Sequence, residues 1–87
     1  MEAKKIIITG GATRIGSAIA KSLVNFETKI VIHFNKSKSS AFKLKKELEE
    51  LGAEVYLLKA DLNNLKQTET LIKKAYKTLK GLDCLIN

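Results

Sequence analysis

Two hydrophobic periods alternate along this chain, and that alternation limits its folds more than any other feature. KKIIIT, residues 4–9, is a short β-branched run closed by Gly10 and Gly11, and it reads as a strand buried on both faces. From Arg14 the spacing changes to three and four. Ile15, Ala18, Ile19, Ser22, Leu23 and Phe26 place an apolar stripe on an amphipathic helix running to about Phe26. KIVIHF, residues 29–34, repeats the strand signature, and NKSKSS follows as a polar loop with serines available as N-caps. Ala41, Leu44, Leu48 and Leu51 predict a second helix ended by Gly52, and residues 54–60, EVYLLKA, a third strand. Asn63 or Asn64 can cap a third helix carrying Leu65, Thr68, Leu71, Ile72, Ala75 and Leu79, ended by Gly81, before LDCLI makes a fourth strand.

Strands separated by helices of this length pair in parallel through right-handed crossovers, which predicts an α/β doubly wound sheet of order 3-2-1-4. At 87 residues the chain is one small domain. No apolar run is long enough to span a bilayer and residues 1–5 lack a signal-peptide pattern, so a soluble, cytoplasmic protein is expected. The single cysteine, Cys84, excludes a disulfide scaffold or zinc module and reads as a small core residue of the fourth strand. The formal charge of +7 suggests an anionic partner, yet 15 of the 16 cations are scattered lysines, which is a pattern of surface solvation and does not favour nucleic acid. The fourth strand would leave an open apolar edge, so residues 1–87 are expected to be the front part of a larger fold, or to be covered by a second chain.

TGGATRIG, residues 9–16, joins the first strand to the first helix. Glycines in such a turn let the backbone approach a phosphate, and a helix N-terminus presents N–H groups and partial positive charge to it; an ordinary tight turn is the plainer alternative. Arg14 is the only arginine and stands in the first turn, where the helix dipole disfavours a cation, so it is assigned to phosphate contact rather than to solvent. Dinucleotide sites that hold a free 2′-hydroxyl place a carboxylate about 20 residues after the glycine turn. No carboxylate occurs between Glu27 and Glu47; His33, Asn35, Lys36, Ser37 and Lys38 stand there, a set suited to an extra phosphate or simply to an exposed loop. The next helix begins with Lys43, Lys45 and Lys46 and ends with Glu47, Glu49 and Glu50, opposite to what its dipole favours, and a local anion would offset that cost.

These residues resemble the short-chain dehydrogenase/reductase family, whose glycine motif is TGxxxGxG. Arg14 replaces the middle glycine, and the resulting TGxxxRxG is similar to the pteridine reductase branch. The resemblance extends through HFNKS, the pair Ala60 and Asp61, and LDCLIN, which is similar to the start of the family's NNAG motif. It implies a Rossmann-type β-α-β-α-β-α-β half domain with Gly10, Arg14, Ile15 and Gly16 at the cofactor phosphates. Lys36 and Ser37 match an Arg-Ser pair that grips the 2′-phosphate, with His33 lining the same pocket beside Asn35. Asp61 and Leu62 fall beside the adenine, and Asp61 could equally just start the next helix. Asn87 matches the first asparagine of NNAG, against the cofactor. The cofactor implied is NADP(H).

Family members move hydride between nicotinamide and a carbonyl, imine or alkene, using a serine and a YxxxK pair that lie beyond the fourth strand. None of the three is in this chain, so no residue is assigned to catalysis. Tyr76 and Lys80 spell YxxxK on the wrong helix, with Tyr76 expected on its buried side. The expected parent is an NADP(H)-dependent reductase of a pterin or ketone, with a homo-oligomer implied by the family. A stand-alone, non-catalytic nucleotide-binding module is the alternative.

Overall fold

A parallel strand with branched apolar residues at every position has no face to turn to water, so it needs helices on both sides. The computed structural model, which describes residues 4–10, 13–25 and 27–86, meets that need. Its elements are β1 (Lys4–Ile8), α1 (Arg14–Leu23), β2 (Thr28–Phe34), α2 (Lys38–Glu50), β3 (Glu54–Lys59), α3 (Leu65–Leu79) and β4 (Cys84–Ile86). All pairs are parallel and the strand order is β3-β2-β1-β4, the Rossmann-type order expected from the sequence. On one face Ile6, Ile8, Ile30 and Ile32 pack against Ala20 of α1 and Leu44 and Leu48 of α2. On the other, Ile7 and Val31 pack against Ala75 and Leu79 of α3. Burying each such isoleucine contributes about 1.5–3 kcal/mol, so the two central strands dominate the stability. Cys84 is half-buried against the first of these faces. Among the described residues no helix is long and apolar enough to cross a membrane.

Several local expectations are corrected by packing. In α1 the buried residues are Gly16 and Ala20, while Ile15 is 75% exposed and Ala18, Ser22 and Leu23 are also exposed. The helix meets the sheet through its smallest side chains, which let it approach closely; Ile19 is partly buried against the same core, while Ile15 and Leu23 are exposed. It ends at Leu23; Phe26, the expected terminus, lies outside the described residues. Asn25 supplies the stop. Its side-chain oxygen accepts the Glu27 N–H at 2.8 Å and its own N–H donates to Thr28 Oγ1 at 3.0 Å, local bonds that compete with further helix and start β2 one residue early. α2 begins at Lys38, so Ser39 and Ser40 lie inside the helix. Ser37 is its N-cap residue, though the serine side chain makes no capping bond. Leu51, at the C-cap, is exposed.

In α3 a single row of buried residues, Leu71, Ala75 and Leu79, faces the sheet. Leu65 and Ile72 are exposed, and Tyr76, expected to be buried, is 58% exposed. Lys80 closes the helix in the left-handed conformation at φ 59°, and its carbonyl accepts the Lys5 ammonium at 2.8 Å, a cation where the helix dipole is negative. β3 stops one residue short of Ala60. β4 is shorter than the expected 82–86 because Asp83 enters the ladder with its side chain. The Asp83 carboxylate accepts the Lys5 N–H at 2.8 Å, while the Asp83 N–H donates to the Lys5 carbonyl at 2.8 Å.

Replacing Ile30, wholly buried in β2, by alanine should lower the unfolding free energy in urea by about 2–5 kcal/mol. The same truncation at Leu65, on the outer side of α3, should change it by about 0.5 kcal/mol or less. Similar losses at both positions would contradict this assignment of the core.

Candidate functional site

Hydrogen-bonding groups that the ladders leave over collect at the carboxyl ends of the strands. The β1–β2 ladder ends at the Ile8–Ile32 pair and the β2–β3 ladder at Phe34–Lys59. Beyond them the chain makes three turns side by side, and between the turns lies a crevice. Gly10 enters its turn at φ 64°, a left-handed conformation that glycine adopts without a Cβ penalty. Thr13 then caps α1. Its hydroxyl donates to the Gly10 carbonyl at 2.9 Å and accepts the Gly16 N–H at 3.1 Å. The Gly10 N–H donates to His33 Nδ1 at 3.0 Å, and His33 Nε2 lies 2.8 Å from the Ala60 carbonyl oxygen.

Three openings meet at this end of the sheet. Gly10, Thr13, His33, Phe34, Asn35, Lys36 and Ser37 line a cavity of about 370 Å³. Phe34, Asn35, Lys36, Lys38 and Lys59 line an adjoining one of about 580 Å³. Among the described residues no carboxylate lines either, and three lysines line the second. Such a donor set fits a phosphoryl group, since ammonium, amide and hydroxyl donors face it and no anion repels it. The third opening, about 190 Å³, separates α1 from α2 and is bordered by Thr13, Arg14, Ser17, Ser40, Lys43 and Glu47 among others. Lys21 bridges it to Glu47, and that hydrogen bond holds the Glu47 carboxyl below the ordinary carboxylate range against the opposing effect of desolvation. Among the described residues Arg14 and Lys43 have no ion-pair partner, and neither helix carries an acid in its first turn.

The fold thus brings Gly10, His33, Asn35, Lys36 and Ser37 around one cavity, with Arg14 beyond the Thr13 wall. Ile15, Gly16, Asp61 and Leu62 line none of the three openings. The N–H groups of Gly10 and Gly16 are both taken up within the protein, so these glycines shape the turn and do not act as free donors. Asp61 starts a turn into α3: its side chain accepts the Asn63 N–H at 2.9 Å, its carbonyl accepts the Asn64 N–H at 3.0 Å, and Asn64 caps the helix through Gln67 N–H at 3.0 Å. Asn87 lies outside the described residues. Tyr76 and Lys80 sit at the opposite end of the sheet, beside Lys5 at the start of β1.

Thr13, Ser40 and Lys59 were not singled out as site residues by the sequence, whereas Lys38 and Lys43 stood among the cations assigned to a local anion. Thr13 carried a usable signal, a threonine three residues before Gly16 at a helix start. Lys59 carried none, because only strand pairing sets it next to Phe34.

Residues 4–87 match the family model described as short chain dehydrogenase. A short-chain dehydrogenase/reductase of Pestalotiopsis microspora is 34% identical over 83 residues, 95% of this chain and 31% of its own length. A short-chain dehydrogenase structure from Oenococcus oeni superposes with a TM-score of 0.88 at 36% identity, covering 99% of this chain and 40% of that one. One from Burkholderia cenocepacia in complex with NADP gives 0.90 at 29% identity over 99% of this chain and 35% of that one. An NADH-dependent reductase complexed with NAD gives 0.87 at 26% identity, again with 99% of this chain and 36% of the other covered. The chain spans about a third of the length of the curated relatives it matches.

Among the described residues a Cβ added at Gly10 would meet only Thr13 Cγ2, at 4.0 Å, so the strain of substitution there comes from the left-handed backbone. Gly10→Ala should therefore lower stability by about 1–2 kcal/mol in chemical denaturation, and Gly10→Asn by less, because asparagine tolerates the left-handed region. An alanine variant as stable as the parent would mean that the turn is not held at φ 64°.

Proposed function

The chain belongs to the short-chain dehydrogenase family, and from that premise we propose that it is the cofactor-binding part of an NADP(H)-dependent oxidoreductase. The observation that carries the choice of NADP(H) is the pair of carboxylate-free cavities around Asn35, Lys36 and Ser37 at the end of β2. A 2′-phosphate set there meets the Lys36 ammonium, the Asn35 amide and the Ser37 hydroxyl, with Lys38 and Lys59 adding positive field. Arg14 and the N-terminus of α1 serve the pyrophosphate, and the exposed Ile15 offers an apolar surface beside it. Asp61 and Leu62 flank the adenine from the end of β3. Bound NADP(H) supplies the hydride donor or acceptor; the residues described here bind and orient it.

The substrate follows from the same reading. Arg14 in the glycine turn and the HFNKS segment support a pteridine reductase-like branch, hence a pterin, with a ketone as the broader class. Residues 1–87 then form the N-terminal part of one longer dinucleotide-binding domain, and the polarising serine and YxxxK pair come from the remainder. Tyr76 and Lys80 do not serve in their place, since they lie at the far end of the sheet. A cytoplasmic, homo-oligomeric reductase is the corresponding whole.

Titration with NADPH and NADH, followed by nucleotide fluorescence or calorimetry, tests the cofactor assignment. NADPH should bind more tightly than NADH. Lys36→Ala should weaken NADPH about 10- to 100-fold, the loss of one charge-assisted contact, and leave NADH nearly unchanged. Equal losses for both nucleotides would remove Lys36 from the 2′-phosphate.

A further inference from the structure

His33 is only 4% exposed, and each of its ring nitrogens meets the backbone of a different turn. The Gly10 N–H is an obligate donor, so Nδ1 must be the acceptor. The Ala60 carbonyl is an obligate acceptor, so Nε2 must carry the proton. One neutral tautomer satisfies both, and neither nitrogen is left for a phosphate. His33 lines the cavity with Asn35, Lys36 and Ser37, and both of its ring nitrogens are engaged by backbone groups.

We propose that His33 is a positioning residue, a neutral Nε2-protonated imidazole that ties the glycine turn to the end of β3 and so sets the spacing of the crevice walls. The proposal rests on the cofactor reading above. Its force lies in where the ladders stop. Backbone pairing holds Ile8 to Ile32 and Phe34 to Lys59, but Gly10 and Ala60 lie past those last rungs. Ala60 is still held from one side, its N–H donating to the Phe34 carbonyl at 3.1 Å. His33 supplies the other hold, and one more to Gly10, from the middle strand. These bonds join residues 23 and 27 positions from His33 in sequence. Glycine at Gly10 has wide conformational freedom, so without the Nδ1 contact the turn before α1 would sample other states. The crevice would then be competent for only part of the time, and affinity would fall by that fraction.

Asparagine places an oxygen near the position of Nδ1, and glutamine a donor near that of Nε2, so each conservative variant keeps one half of the latch. His33→Leu should weaken NADPH about tenfold, as expected if the crevice is formed about a tenth of the time, with His33→Asn and His33→Gln recovering part of the loss. Amide exchange at Gly10 in the cofactor-free protein should accelerate in His33→Gln and His33→Leu and stay slow in His33→Asn. Nitrogen-15 spectra of the unsubstituted protein should show the Nε2-protonated neutral ring. NADPH binding within twofold of the parent in His33→Leu, or a ring protonated at Nδ1, would overturn the proposal. If His33→Leu fails to fold, the opposite exchange responses of the Asn and Gln variants decide the question, and equal responses refute the latch. Should the parent bind no dinucleotide at all, the cofactor reading falls, and the tautomer and exchange rates still judge the tie between the two turns.

Discussion

Two adjacent strands with no solvent-facing side set the terms for everything else in this molecule. β1 and β2 bury Ile6, Ile7 and Ile8 beside Ile30, Val31 and Ile32, so both faces of the sheet must be roofed by helices. Their backbone groups are consumed by the ladders until the strands end. Polar chemistry is therefore forced to the carboxyl ends, where Gly10, Asn35 and Asp61 begin the three turns. The crevice is a consequence of burial, not an addition to it.

What the crevice can hold follows from charge. Around the end of β2 the walls carry lysines, an amide and a hydroxyl and, among the described residues, no carboxylate. The acid of the neighbouring cleft, Glu47, is engaged by Lys21, with Lys43 adding to the positive field on it. This distribution favours an anion. Burial also explains the order that His33 brings. A buried imidazole must have its nitrogens satisfied, and here the satisfying groups belong to the two turns that the ladders no longer control.

Much of the fold was legible from local patterns, and the misreadings are instructive. Parallel pairing and the order β3-β2-β1-β4 follow from strand and helix periods with right-handed crossovers, and these hold. Periodicity failed on helix faces. It gave Ile15, Ala18 and Leu23 the inner side of α1, whereas Gly16 and Ala20 took it, because the closest packing to the sheet comes from small side chains. It put Tyr76 inside, although α3 buries one row, Leu71, Ala75 and Leu79, and Tyr76 lies off it. Side-chain bonds from Asn25 and Asp83 to nearby backbone moved the ends of α1 and β4 for a similar reason: they satisfy polar groups that regular structure would otherwise use.

By itself the sequence determined the alternation of elements, the glycine turn after β1 and the carboxylate-free, lysine-bearing segment after β2, since each depends on residues close together in the chain. Only the tertiary structure decided that His33 faces Gly10 and Ala60, that Lys59 borders the cavity of Lys36, and that Arg14 and Lys43 look into one cleft. These juxtapositions depend on how three strand ends and two helices are placed relative to one another. That placement is fixed by packing over the whole sheet, and no local spacing of residues encodes it.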